Sequence, residues 1–400
     1  MAEEVVRILV LSFYFRPDLC AGSFRTAALI DALDRLASSG IEIEVLTTLP
    51  NRYESFSQEA AEVEKSGRLE IRRIPLPRHR NDMLGHCRAF LKYSRSVSTL
   101  TALRSYDLVF ATSSRLMTAT LAARIARAKK LPLYLDVRDI FVDSIQDILP
   151  WFARLPVRSV FGLVESCTMS RACHINLVSR GFEAYFSSRY PRPSYSFFTN
   201  GIDDEFLQKS ELVGETQVNL PGKKNTRILY AGNIGEGQSL HSIIPGLAKS
   251  LGDEVEFVVI GDGGRKARLV ADTAGLDNVV IRRPVARREL IAWYRGADAL
   301  FLHLADRPAF EKVLPSKVFE YGAVGKPILA GVAGFAANFI RSEMPNAAVF
   351  SPGDVQGAVR AFRTLEFTHT RRKEFIERYS RSRICLDMAQ GILSLLPKAN

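Results

Sequence analysis

RILYAGNIGEGQSLHSIIPGLAKSLGDEVEFVVIGDGG, residues 227–264, carries the rhythm that decides the fold. An apolar run at 227–231 leads into a glycine-rich turn, a helical pattern over 240–251 and a second apolar run at 255–260. Continuous apolar strands separated by helices mark a parallel sheet covered on both faces. The alternation goes on: a helix over 265–274, a strand over 279–281, a helix over 288–296, then strands at 299–303, 328–330 and 348–350. Helices are expected over 354–396. This is the pattern of a doubly wound α/β domain.

Working outward, the same rhythm fills the first half of the chain. Strands are expected at 7–12, 41–47, 69–74, 108–111, 133–137, 174–177 and 195–198, with helices such as 23–37 and 117–129 between them. A polar stretch, 207–225, interrupts the alternation and ends in Pro221-Gly222-Lys223-Lys224-Asn225. The fold class expected is therefore α/β, with two Rossmann-like doubly wound domains facing across a cleft. In open sheets of this kind ligands bind beyond the carboxyl ends of the strands.

Composition narrows the classes. The 400 residues are 47% hydrophobic and 24% charged, enough apolar surface for two cores. The formal net charge of +11 favours anionic partners: nucleotides, phosphorylated lipids, membrane surfaces or nucleic acid. Nucleic acid is set aside because no recognised binding module is present. No apolar run is long enough to span a bilayer. The opening MAEEVVRILVLSF has no basic leader region and reads as a first strand, not as a secretory signal. Cys20, Cys87, Cys167, Cys173 and Cys385 are scattered without a paired spacing. That suggests reduced thiols in a cytoplasmic protein, and no zinc-ligand pattern appears.

The most informative chemistry is Val313-Leu314-Pro315-Ser316-Lys317-Val318-Phe319-Glu320-Tyr321. Ser316 after Pro315 is expected to cap a helix. The first turn of a helix offers unpaired N–H groups and the positive end of a dipole, which suit a phosphate. Lys317 adds a full charge there. Glu320, three residues on, shares that face and can accept from two ribose hydroxyls. The residues alone fit this reading and that of a capped surface helix equally.

Other loops carry weaker signals. Glycine-rich turns are expected at Gly232-Asn233-Ile234-Gly235 and Gly261-Asp262-Gly263-Gly264, and neither fits the dinucleotide fingerprint. Gly22 and Ser23 open the first helix with small side chains that allow close approach. Asp139 ends the strand Asp136-Val137-Arg138-Asp139, either presenting a carboxylate or capping a helix. Residues 71–95 hold Arg72, Arg73, Arg78, Arg80, Arg88, Lys92 and Arg95 interleaved with Phe90, Leu91 and Tyr93. A basic amphipathic segment of this kind fits an anionic membrane surface or a solvated face.

Taken in order, these pieces resemble family 4 of the GT-B glycosyltransferases, especially bacterial enzymes that extend O-antigen and capsular polysaccharides. The matching segments are 15–23, Asp136–Asp139, Val178-Ser179, Thr199-Asn200-Gly201-Ile202-Asp203, 230–235, Gly261-Asp262-Gly263, Pro315–Tyr321 and Gly325-Lys326-Pro327. The resemblance implies a nucleotide-sugar donor held by the second domain, with Glu320 on the ribose and Arg283 to Val285 at the base. It implies retention of anomeric configuration, no metal and no other cofactor. It also implies that the last helix, from about Arg381, returns to the first domain. The domains expected are 1–206 with 381–400, and 207–380.

The departures are specific. Lys312 stands where the family has the first of two glutamates, with Glu311 one residue away. Asn233 and Ser239 replace the usual basic pair after the first turn, leaving Lys317 as the candidate phosphate cation and Arg265 as a second choice. Arg138-Asp139 stands where a histidine is usual. The resulting expectation is a metal-independent retaining hexosyltransferase acting in O-antigen or lipopolysaccharide synthesis. It would use a UDP sugar in preference to a GDP sugar, a lipid-linked saccharide acceptor, and the inner face of the cytoplasmic membrane. Catalytic residues would be Asp139, Lys317 and Glu320. Donor contacts would come from Gly22, Ser23, Gly232, Asn233, Arg283, Val285, Pro315, Ser316, Lys317 and Glu320. Two rivals remain open: a non-hydrolysing sugar-nucleotide epimerase and a catalytically degenerate membrane-associated scaffold.

Overall fold

The computed structural model describes residues 5–18, 20–38, 40–51, 59–77, 83–113, 115–142, 151–207 and 225–397. Most of the polar stretch 207–225, and Arg78 and Arg80 of the basic segment, lie outside the described residues. The chain divides into two compact units, one of residues 1–200 and 381–400 and one of residues 201–380.

In the first unit the strands are β1 (Val6–Leu11), β2 (Ile41–Thr48), β3 (Val63–Ser66), β4 (Leu69–Ile74), β5 (Leu108–Thr112), β6 (Leu133–Val137), β7 (His174–Leu177) and β8 (Ser194–Ser196). Among the described residues they form one sheet in the order β3-β4-β2-β1-β5-β6-β7-β8. All neighbours pair parallel except β3, which runs antiparallel to β4. β3 was not expected. Its four residues, Val-Glu-Lys-Ser, are all exposed, so it is an edge strand with no apolar pattern to announce it. β5 and β6 are buried along their whole length, as the covered parallel arrangement requires.

The helix Ala21–Leu36 lays Leu29, Ile30, Ala32 and Leu33 on this sheet. The helix Arg381–Leu393 joins the same core through Cys385, Met388, Ala389 and Ile392. A buried ion pair locks these pieces. Arg25 Nε donates to Asp136 Oδ2 at 2.9 Å, and Arg25 Nη2 donates to Asp136 Oδ1 at 3.0 Å and to the Phe198 carbonyl at 2.8 Å. Asn176 Nδ2 adds a bond to Asp136 Oδ1 at 2.7 Å. Burial alone would raise the Asp136 carboxyl, but the Arg25 and Arg138 charges and the hydrogen bonds from Arg25 and Asn176 together outweigh it and hold the group below the usual range. A buried pair with its remaining positions bonded positions its elements firmly, whatever its net contribution to stability.

In the second unit the strands are β9 (Thr226–Asn233), β10 (Val255–Asp262), β11 (Val279–Arg282), β12 (Ala299–His303), β13 (Ile328–Gly331) and β14 (Ala347–Phe350). Among the described residues their order is β11-β10-β9-β12-β13-β14, all parallel. The helix Leu240–Leu251 buries Leu240, Ile243, Ile244, Leu247, Ala248 and Leu251, one stripe at helical spacing. Each large side chain so buried contributes about 1.5–3 kcal/mol.

Three expectations need correction here. The second unit begins at Gly201, not 207, because Ile202 and Phe206 are buried in its core. Gly232 and Gly261 lie within strands, not in turns: pairing continues through Gly261↔Gly232 and Asp262↔Asn233. A Cβ on Gly261 would overlap the Gly232 carbonyl, so close strand approach explains that glycine. Finally, β8 covers Ser194–Ser196, and Phe197 and Phe198 fall beyond it.

Candidate active site

The helix Lys317–Val324 lies between β12 and β13, its start at the carboxyl-end side of the second sheet. Ser316 does not cap it. Its backbone is already helical, at φ −59° and ψ −29°, and its hydroxyl makes no capping bond. A capping side chain needs an extended backbone to reach the N2 or N3 amide. The turn starts instead at Pro315, whose carbonyl accepts from Val318 N–H at 3.2 Å, and the Ser316 carbonyl accepts from Phe319 N–H at 3.2 Å. These bonds use the Val318 and Phe319 N–H groups, so among the described residues the Ser316 and Lys317 N–H groups are the donors left for an anion at the helix start.

Lys317 is part-buried, and its Nζ sits 5.1 Å from the centre of the Tyr230 ring. Burial pushes its pKa down, opposed only in part by the Glu320 charge. Among the described residues no carboxylate lies within ion-pair distance of this ammonium. Its seat depends on Gly232, whose φ of 142° is outside the range other residues adopt. A Cβ there would overlap Lys317 Cε and Nζ. Gly232 therefore makes room for a lysine of its own chain. Gly232→Ala is expected to evict the ammonium and to lower kcat as strongly as loss of Lys317 does. Steady-state kinetics on both variants checks this.

Glu320 faces two groups that the sequence did not single out. Arg287 Nη1 donates to Glu320 Oε1 at 2.9 Å, and the Tyr294 hydroxyl donates to Oε2 at 3.0 Å. Arg287 also pairs with Asp203. The charges of Glu320 and Asp203 outweigh burial and raise the Arg287 pKa. Burial and the Glu320 carboxylate push the Tyr294 phenol well up, so it keeps the proton it donates. Each carboxylate oxygen has a second lone pair free for a ligand hydroxyl. Arg287 begins the helix Arg287–Gly296, directly after the segment Arg283-Pro284-Val285. The helix that follows the expected base loop thus supplies partners of the expected ribose carboxylate. Arg283 is exposed and Val285 packs against the core. The available signal for Arg287 was a basic run at a strand-to-helix turn, which does not say which arginine turns inward.

The remaining candidates divide. Asn233 Nδ2 is bonded to Gln238 Oε1 at 2.8 Å and its carbonyl accepts the Tyr230 hydroxyl at 2.6 Å, so it braces its loop. Arg265 is paired with Glu236, leaving Lys317 as the better phosphate cation. Glu311 and Lys312 lie on the 3-10 turn Pro308–Lys312, and Glu311 is exposed. In the first unit Gly22 and Ser23 lie inside the helix Ala21–Leu36. The Ser23 hydroxyl is buried and has no hydrogen-bond partner among the described residues. Asp139 Oδ1 accepts from the next backbone N–H, Ile140, at 2.8 Å. Arg138 is tied to Asn200 Oδ1 at 3.1 Å, and burial lowers its pKa to about 10.

His303, at the end of β12, holds the loop that carries Gln238. Its Nδ1 donates to the Gln238 carbonyl at 2.8 Å, and its Nε2 accepts from Gly353 N–H at 3.0 Å. That assignment requires a neutral ring, and burial lowers the pKa to about 4. The unfolded chain takes up this proton near pH 6.5, so stability is full above about pH 6.5 and is lost as pH falls towards about 4. Wild type is expected to lose roughly 2–3 kcal/mol more than His303→Gln between about pH 7 and pH 4.5. Urea unfolding at each pH measures the difference.

The fold agrees with what the chain resembles. Residues 25–201 match the glycosyl transferase 4-like domain, and residues 215–381 match glycosyl transferases group 1. A putative colanic acid biosynthesis glycosyl transferase, WcaI of Escherichia coli strain K12, is 37% identical over 111 residues, a stretch covering 27% of each protein. Among solved structures, Anabaena Alr3699/HepE in complex with UDP-glucose is similar with a TM-score of 0.67 at 15% identity, over 98% of this chain and all of that one. WaaG, a glycosyltransferase involved in lipopolysaccharide biosynthesis, has a TM-score of 0.64 at 12% identity, over 96% and 95%. With matched domains covering most of its length and both sheets wound as that fold requires, the chain belongs to the family 4-like GT-B glycosyltransferases.

Proposed function

We propose that this glycosyltransferase moves a hexose or hexosamine from a UDP sugar to a lipid-linked saccharide in surface-polysaccharide synthesis. The observation that carries the proposal is Lys317: a part-buried ammonium with no carboxylate partner among the described residues, at a helix start, one turn from a carboxylate held by Arg287 and Tyr294. A diphosphate at that helix start supplies the missing counter-charge, and Glu320 then meets the ribose. HepE, a fold neighbour, binds UDP-glucose, which supports a uridine donor.

In the proposed step the bond from the sugar's anomeric carbon to the diphosphate oxygen breaks, and the acceptor oxygen bonds to the same face. The acceptor proton passes to the departing diphosphate. Lys317 and the helix dipole stabilise the leaving charge, so the step is written without a metal. Asp139 is proposed to orient a sugar or acceptor hydroxyl, and Gly22 and Ser23 to approach the phosphates.

The acceptor's lipid calls for a membrane surface. Among the described residues no helix is long and apolar enough to cross a bilayer. The helix Met83–Ala102 exposes Arg88, Leu91, Lys92 and Arg95. The helix Trp151–Met169 exposes Arg158, Val160 and Leu163. This mixture supports a peripheral seat on an anionic leaflet at the cytoplasmic face. The test is incubation with labelled UDP sugars, with and without lipid-linked saccharide extract. Label entering the lipid fraction supports the proposal. A rearranged free nucleotide sugar formed without acceptor supports the epimerase reading instead.

A further inference from the structure

The first unit holds a second cation without a carboxylate partner, at the carboxyl ends of its own strands. Arg115 follows β5 and lies beside Phe13 and Tyr14, which follow the adjacent strand β1. Its guanidinium carbon sits 4.2 Å from the Phe13 ring centre and 5.4 Å from that of Tyr14. Phe13 is in turn stacked on Phe90 at 6.3 Å and meets Tyr93 edge-on at 5.3 Å, so the seat is a packed aromatic platform. Arg115 Nη2 donates to the Tyr14 hydroxyl at 2.7 Å and lies 3.4 Å from His86 Nδ1.

Both polar contacts use Nη2. Among the described residues the donors on Nε and Nη1 have no protein partner, and no carboxylate lies within ion-pair distance. Nor are these nitrogens sealed in the core, because Arg115 is only part-buried. Three elements, the β1 loop, the β5 loop and the helix Met83–Ala102, therefore converge to fix one guanidinium while leaving part of its donor fork open. Fixing the fork in advance reduces the entropy lost on binding a planar or tetrahedral oxyanion. The open side of this fork lies at the carboxyl ends of the strands, the end of an open sheet where ligands bind.

We infer that Arg115, braced by Phe13, Tyr14 and His86, binds an oxyanion carried by the acceptor: the phosphate of a lipid-linked diphosphate or the carboxylate of an acidic sugar. The inference rests on the acceptor reading proposed above. It adds a specificity rule, that neutral acceptors bind less well.

The experiment measures equilibrium binding to the full chain at saturating UDP, so that the donor site is filled. One arm compares a short-chain polyprenyl diphosphate in neutral detergent micelles with the uncharged polyprenol. The other compares a glucuronate-terminated disaccharide with its glucose-terminated counterpart. Wild type is expected to prefer one anionic ligand about tenfold to a hundredfold, the range for a charged hydrogen-bonded contact. Arg115→Gln should erase that preference, and Arg115→Lys should keep part of it, with UDP affinity unchanged in both. Unchanged melting temperatures show that the variants fold, and the lysine variant serves if the glutamine variant does not. Absence of any anion preference in wild type, or its survival in Arg115→Gln, overturns the inference. A preference erased by Arg115→Gln in a protein that transfers no sugar would instead sink the functional proposal and leave this site standing.

Discussion

Glu320→Ala is expected to raise the KM for the nucleotide sugar about a hundredfold, with a smaller fall in kcat. The side chain is proposed to bind ribose, which is remote from the breaking bond, so its loss weakens ground state and transition state alike. The substitution also strands its partners. Arg287 and the Tyr294 hydroxyl both donate to Glu320. Arg287 keeps Asp203, so the stability cost should stay near 1–2 kcal/mol, below that of leaving a buried charge wholly unpaired. Glu320→Gln retains an oxygen to accept a hydrogen bond and should fall between. Kinetics against donor concentration, beside urea unfolding of each variant, separates the two effects.

Lys317→Met should split activity from stability. The ammonium is proposed to meet charge that grows on the diphosphate as the sugar leaves. Removing it should lower kcat by about a hundredfold to a thousandfold, as loss of a preorganised electrostatic contact does. The unliganded protein should lose no stability, and its melting temperature should stay level or rise. Burial already disfavours the charged lysine, and the Tyr230 ring and the Glu320 charge offset this only in part. A methionine fills the same channel without a desolvated charge. Loss of both activity and stability would mean that Lys317 is a structural residue.

Legibility followed the physics of each feature. The helix Leu240–Leu251 and the buried strands β5, β6, β9 and β12 were readable because burial on a fixed period leaves a pattern in the sequence. β3 was not, since an exposed edge strand has no buried face to encode. Lys317 and Glu320 could be named from spacing along one helix. Arg287, Tyr294 and Asp203 could not, because their meeting depends on how separate elements pack. The Ser316 capping expectation failed for a local reason: the turn already begins at Pro315. Gly232 was noticed as a glycine, but its use as a seat for Lys317 is a tertiary fact.

The central claim is that Lys317 and Glu320 form one nucleotide-diphosphate site. Calorimetric titration of the full chain with UDP tests it most directly, using wild type, Lys317→Met and Glu320→Ala. The account predicts saturable binding to wild type that weakens about tenfold or more in each variant. Wild-type binding that survives both substitutions unchanged, or failure to bind UDP, GDP, ADP or TDP at all, would contradict it.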